Sequence, residues 1–149
     1  MAREVEPAPL RGLRTLLGLL VLAFVVSVVH YVDNVANYGA YPQPAPGASP
    51  PAPSAALIAV SWFVFTAFGA LGLWLFLRRR VVAAAACLAF YSVSGLIGVG
   101  HYTVPGATSM AWWRQTHVVV DIACGLLVFG FAVWSVVALR PGRARGAGR

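Results

Sequence analysis

The sequence predicts an all-α fold, a four-helix transmembrane bundle with both termini cytoplasmic, and three observations carry that reading. The 149 residues are 60% hydrophobic and only 10% charged, with a mean hydropathy of +0.78. That is far too apolar for a soluble domain of this size. Four apolar stretches stand out, each roughly 20 residues long, the length a helix needs to cross ~30 Å of hydrocarbon. The arginines bracket these stretches in a strongly one-sided pattern, and the chain has no lysine. Strands of a membrane barrel would be shorter and would alternate in polarity, which these stretches do not.

The first span runs from about Leu13 to Asn34 and follows Arg3, Arg11 and Arg14. Its apolar core is longer than that of a secretory signal, and no small-x-small cleavage site follows directly, so a retained anchor is expected. The connection over residues 38–54 holds six of the ten prolines and reads as an extended, polyproline-like outer linker without a core of its own. The second span runs from about Ala55 to Leu77. Only Arg78, Arg79 and Arg80 separate it from the third, about Val81 to Thr103, so these two must be antiparallel neighbours. The next link turns at Pro105-Gly106, and Trp112 and Trp113 sit where interfacial anchors belong. The fourth span runs from about Gln115 to Leu139 and leads into a basic tail over 140–149. With four crossings, ten of the eleven arginines fall on one side and Arg114 alone on the other. This positive-inside bias predicts a multi-pass protein of the bacterial cytoplasmic membrane.

The net charge of +7 comes wholly from arginines that flank apolar spans. They are not interleaved with aromatics on a soluble face, which argues against nucleic acid. The expected partners are the lipid bilayer and a second copy or another membrane protein. Cys87 and Cys124 lie inside spans at different depths, which predicts small packing residues and neither a disulfide nor a thiolate metal site. Small residues suit close helix packing in lipid: Gly69 and Gly72 in span two, Ser94, Gly95, Gly98 and Gly100 in span three, Ala123 and Gly125 in span four. Ser61, Thr66, Ser92 and Ser94 are expected to bond their own helix backbone. No phosphate-binding glycine loop, HExxH, CxxCH or G-x-S-x-G motif occurs, so reaction class, and whether the protein is an enzyme, stay open.

All three histidines and both aspartates lie near the outer ends of spans. His30, His101, His117, Asp33 and Asp121 fall within roughly 10 Å of one interface at ~1.5 Å per residue. Ionisable groups at such depth mark a candidate functional site. His30 and Asp33 are three residues apart, and His117 and Asp121 four apart, so each pair shares a helix face. A carboxylate in each pair is placed to orient an imidazole. The set is a plausible ligand shell for zinc or another divalent metal. An enzyme built on it would use a metal-activated water on a lipid or small apolar substrate. Alternatives are a structural hydrogen-bonded cluster in a non-enzymatic membrane subunit or assembly factor, and a haem- or quinone-linked redox site. In the structural alternative Asp121 ties down the outer loop through Arg114 or His117, and Asp33 points to water. Tyr31, Tyr38, Tyr41 and Tyr102 are expected to act as rim anchors.

The segments HYVDN, GHYTVPG and THVVVDIACG resemble a pattern of small, uncharacterised four-span membrane proteins of actinobacterial type. His30, Asp33, His101, His117 and Asp121 carry the resemblance, which covers most of the chain and implies the fold but no activity. A looser similarity to sterol-isomerase-like membrane proteins lacks their paired glutamates and implies nothing about activity here.

Overall fold

A computed structural model describes residues 11–45, 47 and 51–139. Arg3, loop positions 46 and 48–50 and the basic tail over 140–149 lie outside the described residues. Four α-helices make the framework: α1 (Leu13–Ala36), α2 (Ala55–Leu77), α3 (Val81–Leu96) and α4 (Trp112–Leu139). Tighter 3-10 turns occupy Tyr38–Ala40, Ile97–Thr103 and Ala107–Ser109. No strand occurs among the described residues. With its 3-10 continuation, the third rod spans Val81–Thr103, and all four rods are long and apolar enough to cross a membrane.

Two boundaries differ modestly from expectation, since α1 continues to Ala36 and α4 begins at Trp112, bringing Trp113 and Arg114 into the helix. The change in span three matters more. Its α-helix stops at Leu96, just before Gly98 and Gly100, and the last seven residues tighten. Glycine is a poor α-former, and a 3-10 segment turns about 120° per residue against about 100° for an α-helix. His101 therefore leaves the helix in a direction that α periodicity does not give.

The helices run alternately up and down. Gly12 meets the ring of Trp134, while His30 reaches Asp121, so α1 and α4 are antiparallel. The Trp62 indole N–H donates to the Ser27 hydroxyl at 3.1 Å, tying α2 to α1. The α2–α3 turn closes tightly. Arg79 adopts a left-handed φ of 59°, the Arg80 amide donates to the Leu75 carbonyl, and the Arg79 amide donates to the Phe76 carbonyl. That double bond is a Schellman termination, with arginine in the position glycine usually fills. The other end of α2 is capped by Ser54, whose hydroxyl accepts from the Leu57 amide.

Small residues set the closest approaches. A Cβ on Gly95 would collide with the Asp121 carbonyl, and one on Gly125 would sit 2.8 Å from the Ser92 carbonyl. Gly69 and Gly72 lie against Tyr91 and Leu88. Backbones of α3 and α4 thus come together where lipid supplies no hydrophobic drive for association. The end of the bundle holding the α2–α3 turn has an apolar core of Leu16, Leu75, Phe76, Leu88, Val128 and Phe131. Outward faces carry exposed apolar side chains such as Val21, Val32, Phe63 and Leu126, the surface a hydrocarbon surround accepts. At the opposite end, the buried face of α1 changes character, from Leu16 and Ala23 to Ser27, His30, Tyr31 and Asn34. That change positions the site.

Candidate functional site

His30 is the centre. It is buried at 3% exposure, and its Nδ1 lies 2.7 Å from Oδ2 of Asp121, itself 2% exposed. One proton is shared between Nδ1 and this carboxyl oxygen. Nε2 of His30 is buried and has no hydrogen-bond partner. Around this ring stand the imidazoles of His101 and His117, with centroids 5.6 and 5.4 Å away. The Tyr31 ring lies edge-on at 5.6 Å.

Asp33 organises a second, shallower group. Its Oδ2 accepts from the Tyr41 hydroxyl at 2.6 Å and from Arg114 Nε at 3.0 Å, and its Oδ1 accepts from the Asn37 amide at 2.7 Å. His117 Nε2 stands 3.5 Å from the same carboxylate without hydrogen-bond geometry, and neither nitrogen of His117 has a hydrogen-bond partner. Burial, reinforced by the bond to Asp33, pushes the Tyr41 hydroxyl far above the ordinary tyrosine range. It therefore stays a donor at any physiological pH. Arg114 also stacks over Trp113, its guanidinium 4.5 Å from the ring. His101 is held separately: its Nε2 accepts from the Asn34 side-chain amide at 3.1 Å.

All five predicted residues meet in one cluster, but their pairing differs from the expected one. Neither same-helix pair forms. His30 takes Asp121 from α4, and Asp33 takes Arg114 from α4, with His117 3.5 Å away. The reason is depth. In antiparallel helices, Asp121 lies one turn deeper than His117, and His30 lies about a turn deeper than Asp33. Deep pairs with deep and shallow with shallow, because both faces point at each other across the bundle. The two ties expected for Asp121 in the structural alternative, to Arg114 and to His117, do not form, and Asp33 is folded into a bonded group instead of facing water.

Several residues carry more than sequence reasoning assigned them. Tyr31 and Tyr41 are buried; the Tyr31 hydroxyl donates to the Ser94 carbonyl at 3.1 Å, and the Ser94 hydroxyl donates back to Tyr31. Neither is a rim anchor, whereas Tyr102 is exposed as expected. Ser61 and Ser92 do bond their own helices, but Ser94 bonds across to α1, and the buried Thr66 hydroxyl has no partner. The buried position of Tyr41 follows from the 3-10 turn over Tyr38–Ala40, which folds the chain back over α1, and no local periodicity announces it. Cys87 and Cys124 are free thiols, as their spacing predicted.

Among the described residues, no group of three or more histidine, cysteine, aspartate or glutamate side chains stands in metal-holding geometry. The hydrogen bonds explain why. His101 spends its Nε2 lone pair on Asn34, and the Asp33 oxygens already accept three bonds. What remains is three buried imidazole nitrogens without partners, on His30 and His117. Such groups are costly to bury and suit taking up a proton, a polar ligand or a cation. No protein family, no curated protein and no solved structure matches this chain.

Proposed function

We propose that this is a multi-pass protein of the bacterial cytoplasmic membrane, of the small four-span kind its motifs resemble, with both termini cytoplasmic. Its outward-facing His/Asp cluster binds a divalent transition metal such as zinc. The observation that carries this reading is His30, with Nδ1 tied to Asp121 and Nε2 buried and unpartnered. Carboxylate on one nitrogen and metal on the other is the usual way a protein orients a ligating imidazole. His117 offers a second unpartnered ring 5.4 Å away. Two imidazoles at ~2.0–2.1 Å from a tetrahedral zinc have centroids on the order of 5 Å apart. The ring spacing is thus compatible with two ligands of one ion, and ligation would require the rings to turn. His101 joins by giving up Asn34 or by using Nδ1, and Asp33 holds Arg114 in place beside His117.

The test is elemental analysis and zinc titration of purified full-length protein after chelator treatment. One zinc per chain is expected, lost in His30→Ala and in His117→Ala, with affinity falling 10–100-fold in Asp121→Asn. No stoichiometric metal in the wild type sinks the reading. A second reading has its own support: every polar tie of the cluster joins α1 to α3, its 3-10 continuation, α4 or the chain leading from α1, as a register-fixing network in a non-enzymatic subunit would. It expects the same variants to lower thermal stability in a way no metal influences. A Soret band in the purified protein would point instead to the haem alternative.

A further inference from the structure

Below the imidazoles, the polar column continues. Asp121 lies over a small cavity of about 10 Å³, walled by Ala23, Ser27, Tyr91, Ser94, Asp121 and Val128 among others. That is the lower end of the space one water molecule requires. Its chemistry is unbalanced. The Ser27 hydroxyl donates to the Phe24 carbonyl, that of Ser92 to the Ala89 carbonyl, and that of Ser94 to Tyr31. Their protons are spent on other partners, and Ser27 also accepts from the Trp62 indole N–H, so Ser92 and Ser94 are the serines with lone pairs left for the cavity. The Asp121 carboxyl group, already holding His30, has further acceptor capacity. Acceptors crowded together in a low-dielectric interior repel unless a donor stands among them, and the Tyr91 hydroxyl, the other donor of the wall, is engaged with Ser27.

We propose that this cavity binds one structural water, which donates to the Asp121 carboxylate and to a serine hydroxyl and links α1, α3 and α4. The column from Asn34 to Ser27 covers seven positions of α1, about 10 Å at 1.5 Å per residue. The water would sit at the inner end of this polar column. Beyond Ser27 the apolar core of Leu16, Leu88 and Val128 closes the path. The proposal does not depend on metal binding, so its test uses chelator-treated protein.

The experiment is magnetisation transfer from water in solid-state NMR of the full chain reconstituted in lipid. Fast build-up is expected at Asp121 and Ser94, with none at Leu16 or Leu88. Ala23→Val pushes methyl groups into the cavity from a wall residue that makes no polar contact. It should cut the Asp121 build-up several-fold while the His30 Nδ1 signal of the paired imidazole persists. Asp121 build-up as slow as that of Leu88 in the wild type overturns the proposal without recourse to any variant. Equal build-up in wild type and Ala23→Val overturns it as well. So does an Asp121 signal that shifts between sodium and choline buffers without water transfer, which assigns the cavity to a cation.

Discussion

At the scale of single residues, the energetics turn on charges removed from water. Asp121 and His30 are both nearly inaccessible, and each is the other's compensation. Removing one partner of a buried pair strands the other, at a cost of about 3–5 kcal/mol. Asp121→Ala should destabilise the protein by that margin, read as a lower thermal unfolding midpoint in detergent. Asp121→Asn should cost clearly less, because its amide oxygen still accepts from Nδ1. Equal loss in the two variants would mean that the charge, and not the hydrogen bond, holds the helices. Tyr41 gives a pH signature. Its hydroxyl keeps its proton in the folded state where an unfolded tyrosine loses it near pH ~10. With the folded value raised, the contribution is complete below pH ~10 and declines as pH climbs towards the folded value. Tyr41→Phe should cost about 2 kcal/mol near neutrality, the worth of a hydrogen bond to a charged group. It should also flatten the loss of stability between pH 9 and 11, measured by thermal melts.

At the scale of the helices, glycine placement decides which elements touch. Gly95→Ala and Gly125→Ala each drive a methyl group into backbone of the facing helix, where no side chain can yield. Each should destabilise by about 1–3 kcal/mol. Because Gly95 abuts Asp121 itself, its variant should also disturb the His30 pair, visible as a shifted His30 ring signal. Gly18→Ala and Gly130→Ala meet nothing within 4 Å and should be neutral or stabilising by up to ~1 kcal/mol. The α2–α3 turn offers a gain. Arg79 holds a left-handed backbone that costs an ordinary residue about 1–2 kcal/mol. Arg79→Gly should raise the melting midpoint accordingly, unless the side chain's own contacts are worth more. The candidate small residues Gly69, Gly72, Gly95 and Gly125 were legible in the sequence because lipid-embedded helices need them. Which neighbour each one meets was not, since that depends on the rotation of two helices at once.

At the scale of the whole molecule, the arginine bias predicts a testable orientation. A cysteine introduced as Ala40→Cys, in the turn after α1, should react with an impermeant thiol reagent on intact cells. One introduced as Arg78→Cys, between α2 and α3, should react only after permeabilisation. The native Cys87 and Cys124 lie within the helices and should give little background. Reversed labelling would put the His/Asp cluster on the cytoplasmic side and remove the outward-facing site from the proposed function.

Helix number, approximate limits and the charge bias across them followed from the sequence alone. Those are properties summed over some twenty residues, and hydrocarbon thickness imposes them on any chain that spans it. The same counting brought His30, Asp33, His101, His117 and Asp121 to one end of the bundle, since depth along a helix is a matter of residue number. Pairing required the tertiary structure. Spacing of three or four residues put His117 beside Asp121 and His30 beside Asp33, yet antiparallel packing matched each aspartate to a group of equal depth on the facing helix. The tightened end of span three and the turn carrying Tyr41 set two more directions that no regular period contains. A bond between side chains depends on depth and rotation together. One chain's periodicity supplies the first of these, and only the packed bundle supplies the second.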